Sequence, residues 1–77
     1  MTEQIEEYAA VVLTEDRAEA RLRAGDVGTV VLVHAGGKGY EVEFTTLGGD
    51  TLSVLTLPAG ALRAIRADEI AHARAVA

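Results

Sequence analysis

The sequence predicts an all-β fold, a small five-stranded barrel with a short C-terminal helix, and three features carry that prediction. Strict alternation at Tyr40-Glu41-Val42-Glu43-Phe44-Thr45 puts Tyr40, Val42 and Phe44 on one face and Glu41, Glu43 and Thr45 on the other, the mark of a half-buried strand. The preceding run Val27-Gly28-Thr29-Val30-Val31-Leu32-Val33 is too β-branched for a comfortable helix. Two glycine-rich breaks, Ala35-Gly36-Gly37-Lys38-Gly39 and Leu47-Gly48-Gly49-Asp50, stand where hairpin turns need positive φ.

Taken in order, Tyr8-Ala9-Ala10-Val11-Val12-Leu13 is the first strand candidate, after residues 1–7, which form a turn or a frayed end. Residues 14–25 make a long charged excursion with a helical turn in it and one apolar anchor, Leu22. Three strands then form a meander: residues 27–33, residues 40–45, and Thr51-Leu52-Ser53-Val54-Leu55-Thr56-Leu57, which Pro58 terminates because it lacks a ladder donor. Pro58-Ala59-Gly60-Ala61 suits a single 3₁₀ turn, and Leu62-Arg63-Ala64-Ile65 makes a fifth strand, expected to pair with the first. Short strands, a long first loop and a 3₁₀ turn before the last strand describe a small SH3-like barrel over about residues 8–65.

A helix is expected over residues 67–76, which are alanine-rich with Asp68 and Glu69 at the front and Arg74 near the end, as the helix dipole favours. At about 10 residues it is marginal alone, so it must dock through Ile70, Ala73 and Val76 on its own barrel or a neighbour's. The 77 residues form one domain, since a second core would need about 50 more.

Composition narrows the function. Hydrophobic residues at 49% and charged residues at 25% are those of a folded chain, and the net charge of -5 repels phosphate, which disfavours nucleic acid. Without cysteine there is no disulfide, thiolate metal site or thiol nucleophile, which suits a reducing cytoplasm, the expected location. No run approaches the roughly 18 apolar residues of a membrane span, and Glu3, Glu6 and Glu7 stand where a secretory signal carries Lys or Arg.

At Leu22-Arg23-Ala24-Gly25-Asp26-Val27-Gly28-Thr29-Val30-Val31 the chain resembles the entry of many SH3-like barrels, where Gly-Asp turns the chain and the second glycine lets strands cross closely. With Val11-Val12-Leu13-Thr14-Glu15-Asp16, Tyr40-Glu41-Val42-Glu43-Phe44, Leu55-Thr56-Leu57, Leu62-Arg63 and Glu69-Ile70-Ala71-His72, it is similar to a bacterial family, domain of unknown function 4926, over about residues 8–74. That resemblance implies an SH3-like barrel without enzymatic activity or cofactor. Gly25-Asp26-Val27-Gly28-Thr29-Val30 is also similar to the KOW motif, which implies contact with RNA or protein, but the basic cluster here is balanced by Glu15, Asp16 and Glu19.

Candidate chemistry weighs light against plainer readings. Gly36-Gly37-Lys38-Gly39 is followed by a strand and not by the helix a phosphate cradle needs, so it reads as a hairpin turn. His34 and His72 lie far apart with no cysteine to complete a zinc set, and His72 sits four residues after Asp68, one face of the expected helix. Ser53, Asp50 and His34 are the residue types of a hydrolytic triad, yet nothing in their spacing selects them, and Glu41 with Glu43 reads as solvated alternation. No catalytic, cofactor or metal residue is therefore assigned, and the chain is read as a non-enzyme. Its aromatics, Tyr8, Tyr40 and Phe44, are too few to wall a polyproline groove.

The surplus of apolar strand faces points to protein contact. Val31 and Val33 are expected on one face of the second strand with Val30 and Leu32 on the other, and in the fourth Leu55 and Leu57 oppose Leu52 and Val54. A small barrel buries one face of each strand, and each exposed Leu or Val that a partner covers adds about 1.5–3 kcal/mol. Either the helix and long loop cover the second set, or a partner does, and the barrel's open edge offers a further attachment by strand addition. The expected contact residues are Glu15, Asp16, Arg17, Arg21 and Arg23 of the loop with Leu32, Leu52 and Val54. The function these point to is an accessory or interaction module of a bacterial cytoplasmic system, an antidote-like or assembly partner or a homo-oligomer, with no membrane or small-molecule substrate. The alternative is a KOW-like RNA-associated barrel.

Overall fold

Residues 5–76 are described in the computed structural model, and they form one antiparallel sheet with no α-helix among them. The strands are β1 (Ala10–Leu13), β2 (Val27–His34), β3 (Gly39–Thr45), β4 (Thr51–Pro58) and β5 (Leu62–Ala64), in the spatial order β4-β3-β2-β1-β5. 3₁₀ turns at Ala18–Ala20 and Ala59–Ala61 stand in the two connections where the sequence places them. Alternation does what it predicts: Tyr40, Val42 and Phe44 are buried against Val30, Leu57, Val11 and Leu13, while Leu22 reaches the same core from the long loop.

Gly28 sits inside that core. A Cβ there would lie 2.6 Å from Val42 Cγ1 and 2.8 Å from Phe44 Cε1, so the close approach expected of the second glycine in the Gly-Asp run is realised. The first strand begins two residues later than expected, because Tyr8 takes a left-handed φ of 69° while its N–H donates to the Val30 carbonyl. Glu6 accepts from the Ala9 N–H in a turn, and of the expected turn or frayed end at residues 1–7, residues 1–4 lie outside the described residues.

Two expectations are corrected. The sheet does not close into a barrel: β5 pairs with β1 at the far side, which leaves β4 and β5 as its two edges. The helix over residues 67–76 does not form. Ile70, the first of its expected docking positions, is 94% exposed, and so short a segment does not hold a helix on propensity alone. The tail is irregular apart from a turn at 67–68, and Asp68 and His72 share no helical face. No helix among the described residues is long and apolar enough to cross a membrane.

Candidate functional site

The outward face of β3 carries Glu41 and Glu43, and cross-strand register names their neighbours. Glu43 stands between Thr29 of β2 and Val54 of β4, and Glu41 between Leu32 and Thr56. Leu32 and Val54 therefore flank β3 on opposite sides and one step apart along it, at 43% and 52% exposed. Between them both carboxylates are held: His34 Nε2 lies 2.9 Å from Glu41 Oε2, and Thr51 Oγ1 donates to Glu43 Oε2 at 2.8 Å. The result is an open strip of two apolar side chains around two oriented acids.

Bulges decide which apolar residues reach that strip. Register slips between Val30 and Leu32, so Val30 and Val33 both pack toward the core and Leu32 turns outward. The expected pairing of Val31 with Val33 on one face fails for that reason. A second slip beside Phe44 and Thr45 falls at Leu52, which packs against the core instead of joining Val54 outside. Leu52 also lines an open groove with Leu22, Phe44 and the tail's His72 and Val76.

The charged loop forms a separate cluster. Arg17 Nη2 pairs with Glu15 Oε2 at 3.0 Å, Asp16 Oδ1 accepts from the Ala24 N–H at 2.9 Å, and Arg17 and Leu22 exchange backbone hydrogen bonds. Arg21 adopts a left-handed φ of 60°, and its carbonyl accepts from Arg74 Nη2 at 3.1 Å. The Arg23 N–H donates to Asp26 Oδ2 at 2.7 Å. None of these five residues pairs across the sheet with Leu32 or Val54.

Sequence reasoning missed what fastens the tail. Arg74 grips both oxygens of Asp26, Nε to Oδ1 at 2.9 Å and Nη2 to Oδ2 at 2.5 Å. Arg63 grips both oxygens of Glu69 at 2.8 and 2.6 Å, and the Arg66 N–H adds 2.7 Å to Glu69 Oε1. Arg74 and then the Arg23 N–H hold the Asp26 carboxyl below its usual range, and Arg63 with the Arg66 N–H lowers Glu69 to about 2. Between these two clips, residues 69–72 border Val12, which faces away from the core and is still only 6% exposed. Glu69 and Arg74, read as helix-dipole partners, are thus anchors of an irregular strap.

The hydrolytic residue types are not assembled. His34 is tied to Glu41 on the outer face, Ser53 stands opposite the inward-facing Phe44, and Asp50 lies in the β3–β4 turn. Among the described residues no group of three or more His, Asp or Glu side chains is placed to hold a metal ion, and His34 and His72 do not meet in one.

A family model described as "Domain of unknown function (DUF4926)" matches residues 7–64, which takes in the five strands. Comparison with curated proteins finds no match, and comparison with solved structures finds none either.

Proposed function

This chain belongs to the DUF4926 family, and from that premise we propose that it is a non-enzymatic interaction module, an accessory or assembly partner in a bacterial cytoplasmic system, SH3-like in plan. The observation that carries the reading is the strip on the outer face, where Leu32 and Val54 stay 43% and 52% exposed on either side of Glu41 and Glu43. Burying either side chain under a partner is worth about 1.5–3 kcal/mol at full burial, and the acids between them, held by His34 and Thr51, need little ordering to accept donors.

An RNA-associated barrel would need a basic face. Arg17, Arg63 and Arg74 are each spent on a carboxylate of the chain itself, which supports protein over RNA as the partner. The test is co-purification of the tagged chain from its native host beside Leu32→Glu. A specific protein retained by the parent and lost from the variant, with the variant's urea midpoint unchanged, is the expected result. Equal retention by both, or salt-sensitive retention of RNA instead, overturns the reading.

A further inference from the structure

Resting on the interaction-module reading, we propose that the β4 edge binds a second copy of this chain, β4 against β4, antiparallel about a two-fold axis at the strand's centre. The two sheet edges differ. Strand β5 has three residues, includes Arg63, and lies beside a tail clipped to it through Glu69. Strand β4 has eight residues, Thr51–Pro58, and none is charged, in a chain with 12 acids and 7 basic residues. Natural edges are blunted by brevity, charge, proline or a covering segment. Among the described residues only the final Pro58 and the bulge near Thr51 blunt this one, and the register from Ser53 to Leu57 is regular. Leu55 pairs inward with Val42 yet remains half-buried, as an edge side chain does when no strand lies beyond it.

Charge selects a copy as the occupant. Two charged groups flank the strand and neither forms an ion pair within the chain among the described residues: Asp50 just before it, and Lys38, the one lysine. Lys38 belongs to the far end, because its carbonyl accepts from the Ala59 N–H at 3.2 Å and Gly39 pairs with Pro58. In an antiparallel pair whose two-fold axis passes Val54, Val54 faces its own copy, each strand keeps its faces matched, and Asp50 of one copy stands opposite Pro58 of the other. Asp50 then meets the end that carries the second copy's Lys38, and the two-fold axis repeats that contact. The two Asp50 positions stay about 27 Å apart along the strands, at the usual rise per strand residue. A chain of net charge -5 repels its copies over most of its surface, so an uncharged strand with opposite charges at its ends is where they attract.

Sedimentation equilibrium on the full chain at low salt tests this with charge exchange. The parent is expected to dimerise, and Asp50→Lys and Lys38→Glu alone are each expected to raise the dimer Kd about tenfold or more. An equimolar mixture of the two variants restores pairing, since every end then joins opposite charges. A parent that is monomeric to millimolar concentration overturns the proposal, as does a dimer whose Kd neither variant moves or a mixture no tighter than its components. Leu32 lies two strands from this edge, so loss of copy pairing with Leu32-dependent partner capture intact removes this inference and leaves the interaction-module reading standing.

Discussion

Asp26 and Arg74, 48 positions apart in the chain, meet in a two-pronged ion pair that fixes the end of the tail to the start of β2. Asp26 does double duty, because the same carboxylate accepts from the Arg23 N–H and so braces the turn that leads into β2. The two partners are therefore not equivalent. Asp26→Ala removes the tail clip and leaves the turn N–H without its acceptor, and is expected to lower stability by about 1–3 kcal/mol. Arg74→Ala leaves the turn intact and removes a partly exposed pair, and is expected to cost less. Urea unfolding of both variants checks the order, and faster tryptic cleavage after Arg66 in each reports the loosened strap.

Acid should release the strap before it unfolds the sheet. In the folded chain Asp26 and Glu69 titrate below their ordinary values of 3.8 and 4.5, Glu69 at about 2. A carboxyl whose folded value is depressed contributes stability that is whole above the ordinary value and lost as the pH falls toward the folded one. Stability is thus expected to hold steady down to about pH 5 and to decline below it, most steeply between the two values of Glu69. Glu69→Gln removes its share, so the gap in urea midpoint between parent and variant, open at about pH 6, closes by about pH 2. A gap that stays constant across that range contradicts the assignment.

How far the sequence could be read depended on whether the deciding interaction was local. Alternation at residues 40–45, the glycine turns and the 3₁₀ turn after Pro58 are set by neighbours in the chain, and all stand where expected. The tail was misread because its charges suit two structures. Glu69 and Arg74 fit a helix dipole, and they fit Arg63 and Asp26 as well, but only the second arrangement needs the folded sheet to exist first. The bulges at Val31 and Leu52 are likewise products of strand register, and each reverses the facing of the strand residues beyond it. An alternating pattern read straight through β2 and β4 therefore misassigns Val33 and Leu52.

Gly28 is the position where the backbone itself limits substitution. Its φ is unexceptional, and the constraint is the buried Val42 methyl and Phe44 ring, both closer than a real Cβ tolerates. Gly28→Ala is expected to cost about 1–3 kcal/mol through overpacking. Gly48, where a Cβ would meet nothing nearer than Thr46 Oγ1 at 3.8 Å, serves as the comparison, and Gly48→Ala stays within about 0.5 kcal/mol. Thermal or urea midpoints that fall equally for both would show that no close contact exists at Gly28.

Leu52 and Val54 distinguish the bulged register from simple alternation. They are two residues apart, so an unbroken strand puts both on one face and truncating either should cost about the same. The bulge instead packs Leu52 against the core and leaves Val54 outside beside Glu43. Leu52→Ala is then expected to lower stability by about 1–3 kcal/mol, below the full range for a completely buried leucine because it is half-buried. Val54→Ala should move it by no more than about 0.5 kcal/mol in dilute solution, where no partner covers it. Paired urea titrations read the difference directly, and equal losses at the two positions would mean that β4 runs without its bulge and that Val54 is not available on the surface.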